Sequence, residues 1–212
     1  FVSHRVKTID TLVDKLRRES PRLSQVQDVL GIRVVGIHSL ATQSALAASL
    51  RARWPSSRSV DRREAPTHGY RAVHVIASHD GVPVEVQLRT GIQHAWASAT
   101  EAIADRWGRG IRYGDPPTGH DAVEIAERTR RLAAWRGLSD ALYEMELVGV
   151  RMERAMALAR TSSFAEARSL HPSLSDELAA VERAVWERAG EAGPDLRTYL
   201  RSALDALEWL SP

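Results

Sequence analysis

The sequence predicts an α/β domain over residues 1–107, a loop at 108–120 and a helical C-terminal region over 121–212. Three observations carry that reading. Residues 29–37 (VLGIRVVGI) form a β-branched, nearly continuous apolar run of the kind that fills a buried strand. Residues 71–78 and 83–88 read as two strands joined at His79-Asp80-Gly81, a strong hairpin signal. Beyond the Gly/Pro/Asp-rich stretch at 108–120 the apolar spacing is helical throughout.

In chain order, Ile9, Leu12, Val13 and Leu16 repeat at helical spacing, with Thr8 as N-cap and Pro21 beyond the end. Lys7, Thr11 and Lys15 lie four apart and share one face of that helix. Residues 40–50 read as an Ala-rich helix ending before Trp54-Pro55, and 58–61 as a short strand. A helix follows over 90–105. The C-terminal region divides into helical patterns at 121–136, 138–160, 174–189 and 195–210. Its stripes (Leu178, Val181, Val185; Tyr199, Leu200, Leu204, Leu207) suit packing against the domain or a partner protomer.

Composition removes several classes. With no cysteine among 212 residues, disulfide scaffolds, thiolate zinc sites and cysteine nucleophiles are excluded. No apolar run is long enough to span a membrane and no secretory signal opens the chain, so a cytoplasmic protein is expected. A first residue of Phe1 rather than Met suggests a trimmed fragment. Residues 1–75 carry 13 basic and 6 acidic side chains, whereas 161–212 carry 5 and 9. A basic front end suits a polyanionic ligand, a nucleotide or RNA. Only Lys7 and Lys15 are lysines among the 29 basic residues. That bias fits a need for a compact ammonium at those two places, or chance.

Candidate chemistry lies near the strands. In the segment Val84-Glu85-Val86-Gln87-Leu88-Arg89, alternation puts Glu85, Gln87 and Arg89 on one face. That face is either the solvated side of an antiparallel sheet or part of a site in which Glu85 and Asp28 hold Mg²⁺. Tyr70, after Gly69, either stacks on a base or half-buries beside a turn. His74 shares a side with Ala72 and Ile76 and reads on its own as a satisfied core or edge histidine. No P-loop, zinc spacing or serine elbow is present.

Together these blocks resemble the synthetase domain of the RelA/SpoT alarmone enzymes, especially the small stand-alone and toxic synthetases. The match runs in order through Ser3-His4-Arg5-Val6-Lys7, Thr11, Lys15, Gln27-Asp28-Val29-Leu30-Gly31-Ile32-Arg33, Gly69-Tyr70-Arg71-Ala72-Val73-His74 and Glu85-Val86-Gln87-Leu88-Arg89-Thr90. The resemblance implies a nucleotidyltransferase-like mixed β-sheet flanked by helices. It also implies an ATP-dependent, Mg²⁺-dependent pyrophosphokinase that makes a (p)ppGpp-type alarmone. Arg5 and Arg33 would then sandwich the adenine, while Lys7, Thr11, Lys15 and Arg18 hold the ATP phosphates. Asp28 and Glu85 would bind the metal, with Glu85 also taking the proton of the attacking hydroxyl. Tyr70, His74, Gln87, Arg89 and His94 would line the acceptor site.

Two departures from the family pattern bear on the acceptor. Where many members have a lysine before the stacking tyrosine, this chain has Pro66-Thr67-His68-Gly69, leaving Arg62 or Arg63 as the substitute. His94 stands where stand-alone synthetases often have Asn or Asp, and the stretch Gln93-His94-Ala95-Trp96-Ala97 with Glu101 is similar to toxin-type synthetases. The acceptors so implied are GDP or GTP, an adenine nucleotide (giving ppApp), or the 3′ end of tRNA. In the last case an antitoxin partner is expected, and the C-terminal helices suit a homo-oligomer.

Overall fold

The computed structural model describes residues 2–6, 13, 30–160 and 164–208. Of the helix expected over 8–16 only Val13 is among them, and it is helical. Lys7, Thr11, Lys15, Arg18 and Asp28 lie outside the described residues. The chain forms two compact units. One comprises Phe1–Ala65 and Ala72–Gly91; the other comprises Pro66–Arg71 and Ile92–Pro212.

The first unit is a mixed five-stranded sheet with one helix, in agreement with the α/β class expected. Its strands are β1 (Val2–Val6), β2 (Leu30–Ile37), β3 (Arg58–Asp61), β4 (Val73–His79) and β5 (Val82–Thr90), and helix α1 spans Leu40–Arg53. The order across the sheet is β1-β2-β5-β4-β3. β2 and β5 run parallel, and every other neighbouring pair is antiparallel. Strand β1 is an addition to the sequence reading, because the weak alternation at Val2, His4 and Val6 gives no strand signal. Pairing with β2 supplies it instead, which is a tertiary effect.

The β4–β5 hairpin turns on two residues, Asp80 and Gly81, with φ of 50° and 79°. Positive φ at both positions is what a type I′ turn requires, and it matches the right-handed twist of the flanking strands. The pleat then sorts side chains. Val73, Val75, Val86 and Leu88 bury on one face with Ile37 and Ala47 of β2 and α1. Each Val, Leu or Ile so buried contributes on the order of 1.5–3 kcal/mol. Helix α1 starts at the Ser39 N-cap, whose hydroxyl accepts from the Thr42 amide at 3.3 Å. Gln43 is fully buried on α1 and donates Nε2 to the Leu88 carbonyl at 2.8 Å, so a polar group inside the core is satisfied.

The second unit is helical. Helix α2 (Gly91–Trp107) leads into it, followed by a short 3₁₀ turn at Arg109–Tyr113, then α3 (Ala122–Arg160), α4 (Phe164–Ala192) and α5 (Pro194–Glu208). Where the spacing predicts two helices, at 121–136 and 138–160, one continuous α3 passes through Gly137. A glycine costs a helix only about 1 kcal/mol. Its neighbours Trp135 and Leu138 are both fully buried, which offsets that cost. Trp96 of α2 and Trp135 of α3 stack with centroids 6.0 Å apart. Trp96 Nε1 donates to the Trp135 carbonyl at 3.2 Å, and Trp135 Nε1 donates to Thr100 Oγ1 at 2.9 Å. Both indole N–H groups are therefore satisfied where they are buried. Among the described residues no helix is long and apolar enough to cross a membrane.

Candidate active site

The polar face of the sheet gathers the residues that the alternation singled out. Register places Arg33 beside Gln87 and Gln87 beside His74, in one row across β2, β5 and β4. The next row carries Arg5, Gly31, Glu85 and Ile76, read from the backbone pairing alone. Glycine at position 31 puts no side chain next to Glu85 on its β2 side.

Within this face the polar groups form a continuous chain of contacts. Glu85 Oε1 is 2.8 Å from His74 Nδ1. Gln87 Nε2 donates to Glu85 Oε2 at 2.9 Å, and Arg89 Nη2 donates to Gln87 Oε1 at 3.3 Å. The two contacts on Gln87 fix which way its amide points. The His74 and Glu85 side chains are only 10% and 14% exposed. A merely solvated sheet face would leave them open to water, so that alternative fails for this pair. A carboxylate so sheltered is retained only with partners, and it has them. The reading of His74 as a satisfied histidine is also met, its partner being Glu85.

Arg63, one of the two arginines expected in place of the missing lysine, pairs with Asp61 in this structure. Its Nε is 3.0 Å from each Asp61 oxygen and its Nη2 is 2.5 Å from Oδ2. Nη1 donates to Ser44 Oγ at 2.9 Å and to the Leu40 carbonyl at 3.3 Å. The guanidinium thus clamps the end of β3 to α1. Burial raises the Asp61 pKa, but the hydrogen bonds and charge of Arg63 outweigh it and hold the carboxyl below its usual range.

Tyr70 and His94 belong to the helical unit. Tyr70 is half-buried and packs against that unit's core, as the turn reading allowed. It follows a tight turn in which His68 and Gly69 both have positive φ (53° and 88°) and the Tyr70 amide donates to the Thr67 carbonyl at 3.0 Å. A Cβ at Gly69 would come within 2.7 Å of the Trp96 ring, so both φ and space require glycine there. His94 is half-buried on α2. Glu101 pairs with Arg112 at 2.5 Å, with 60% of its side chain exposed, which is a surface ion pair of small energetic weight.

Sequence reasoning missed what holds the Tyr70 segment. Ser139, Asp140 and Tyr143 of α3 all contact Arg71 or its neighbours, across about 70 positions of chain. No local pattern announces such a contact. Among the described residues no three His, Cys, Asp or Glu side chains cluster as a metal site.

The chain is 37% identical over 162 residues to uncharacterized proteins of Mycobacterium bovis and of two strains of Mycobacterium tuberculosis. That match covers 75% of this chain and 54% of each relative, so the chain spans about half their length. Residues 4–107 match the family described as the region found in RelA / SpoT proteins. Every residue of the Glu85 network lies inside that match, and residues 4–107 are accordingly a RelA/SpoT-type domain.

Proposed function

We propose that this domain transfers the β,γ-pyrophosphate of ATP to the 3′-hydroxyl of a purine nucleotide. The observation that carries the reading is Glu85, sheltered on the sheet face and held by His74 and Gln87 within a RelA/SpoT-type domain. In the reaction the 3′-oxygen forms a bond to the β-phosphorus and the bond from that phosphorus to the α–β bridging oxygen breaks. AMP leaves with the bridging oxygen, and the hydroxyl proton passes to Glu85. Such transfers depend on positioning and charge stabilisation, and no covalent nucleophile is required.

Arg5 and Arg33 are assigned to the adenine. Their positions are diagonal across the β1–β2 pair, a separation of about 7–8 Å. Lys7, Thr11, Lys15 and Arg18 are assigned to the ATP phosphates, which accounts for the only two lysines of the chain. Asp28 and Glu85 offer hard carboxylate oxygens, a donor set that suits Mg²⁺ bound together with substrate phosphates. When bound, that ion neutralises charge on the transferring group. Gln87, Arg89 and His74 are assigned to the acceptor, with Tyr70 stacking on its base and His94 reading its edge.

The acceptor on this reading is GDP, GTP or an adenine nucleotide. The 3′ end of tRNA is a second acceptor, favoured by the basic balance of residues 1–75. Transfer to tRNA would fall steeply with salt through counterion release, and transfer to free nucleotides would not. A separate antitoxin belongs with that second acceptor, whereas self-association through the C-terminal helices is compatible with either. The direct test is the co-product: AMP should appear one-for-one with ATP consumed, and ADP instead would contradict pyrophosphate transfer.

Tyr70→Ala should raise the acceptor KM by roughly 5- to 100-fold and leave the ATP KM near normal, since base stacking is worth about 1–3 kcal/mol. Tyr70→Phe keeps the ring and its packing and should behave nearly as the unaltered protein. Steady-state kinetics with each substrate varied in turn checks both, and equal effects on the two KM values would count against the placement.

A further inference from the structure

The residue proposed to stack on the acceptor base is flanked on both sides by contacts to one hydroxyl of α3. Ser139 Oγ donates to the Gly69 carbonyl at 2.5 Å and accepts from Arg71 Nε at 3.1 Å, so it brackets Tyr70 from the residues before and after. Ser139 is 3% exposed and Arg71 is 6% exposed. Asp140 Oδ1 lies 2.5 Å from Arg71 Nη2, and the Arg71 guanidinium sits 4.5 Å from the centre of the Tyr143 ring.

Three contacts from one helix therefore engage a single buried arginine, and the same hydroxyl fixes a carbonyl in a left-handed turn. Burying a guanidinium is costly without partners, and an apolar residue would fill the space with less penalty. What the arginine adds is orientation, because its planar fork fits one arrangement of Ser139 and Asp140. The whole arrangement lies within the helical unit, which also contains the Pro66–Arg71 segment.

We infer that Ser139 is a positioning residue for the acceptor. Through the Gly69 carbonyl and Arg71 it holds the turn that presents Tyr70, so helix α3 sets acceptor affinity from outside the part of the chain that matches the family. This inference rests on the proposed role of Tyr70. Its consequence is a separation of effects: loosening the grip weakens acceptor binding and leaves ATP binding as it was.

The test uses the full chain with Ser139→Ala and, separately, Asp140→Asn, whose side chain is 65% exposed and whose replacement leaves the core intact. Loss of the Ser139 hydroxyl should raise the acceptor KM roughly tenfold with the ATP KM unchanged, the scale of leaving one buried polar group unsatisfied. Asp140→Asn should move the same constant by a smaller factor. Hydrogen exchange at the Tyr70 amide should quicken in Ser139→Ala, because the turn closed by its bond to Thr67 is then less tightly held. Ser139→Thr keeps the hydroxyl and should restore most of the acceptor affinity.

Unchanged exchange at Tyr70 together with an unchanged acceptor KM would overturn the inference. So would equal rises in both KM values, which signal general loosening. If Ser139→Ala does not fold, the same comparison made on Asp140→Asn decides the matter. Failure of the unaltered protein to transfer to any acceptor would instead sink the proposed function, while the exchange measurement would still show whether Ser139 holds the turn.

Discussion

Glu85→Gln is expected to lower the transfer rate by about a thousandfold or more while leaving fold and ATP binding intact. General-base catalysis alone is worth about 10²–10⁴ in rate, and the same carboxylate is assigned to the metal. The substitution is unusually clean because of its neighbours. The oxygen of the introduced amide can accept from Gln87 Nε2, as Glu85 Oε2 does now. The nitrogen of that amide can donate to His74 Nδ1 once the histidine takes the tautomer with its proton on Nε2. Both of these hydrogen bonds survive, while charge and basicity are lost. Turnover measured beside ATP binding and a melting curve checks this, and near-normal turnover would remove Glu85 from the reaction.

Trp135→Ala is expected to cost about 3–5 kcal/mol of stability, the usual range for emptying a large aromatic from a core. Trp135 has no exposed surface. It stacks on Trp96, and its indole N–H is bonded to Thr100, so truncation opens a cavity and leaves a hydroxyl without its donor. For a chain of this size the thermal midpoint should fall by about 6 °C or more. Trp135→Phe keeps part of the volume and should recover part of the loss. A midpoint within about two degrees of the original would show that the two tryptophans are not the centre of the helical core.

The hairpin and its polar face are legible in the sequence because both are local. Asp80-Gly81 dictates a tight turn, and the period of two fixes that Glu85, Gln87 and Arg89 share a side. Alternation cannot decide whether that side is solvated or sheltered, since the difference lies in His74, eleven residues away and on another strand. The motif resemblance leads to Glu85 where spacing alone leaves it open. The grip of Ser139 and Asp140 on the Tyr70 segment has no sequence signal at all. It joins positions about 70 residues apart, and a serine inside a long amphipathic helix looks like any other small polar residue. Helix α3 divides in two at the sequence level for a related reason: propensity marks Gly137 as a break, and burial of Trp135 and Leu138 overrides it.

The most direct measurement supplies ATP labelled on the β-phosphate in one set of reactions and on the γ-phosphate in another, with Mg²⁺. GDP, GTP, the adenine nucleotides and bulk tRNA are each offered as acceptor. If the domain is a pyrophosphokinase, both labels reach the same acceptor in equal amounts and AMP accumulates to match. Transfer of the γ label alone, with ADP as co-product, would make this a phosphoryl transferase and contradict the proposed reaction.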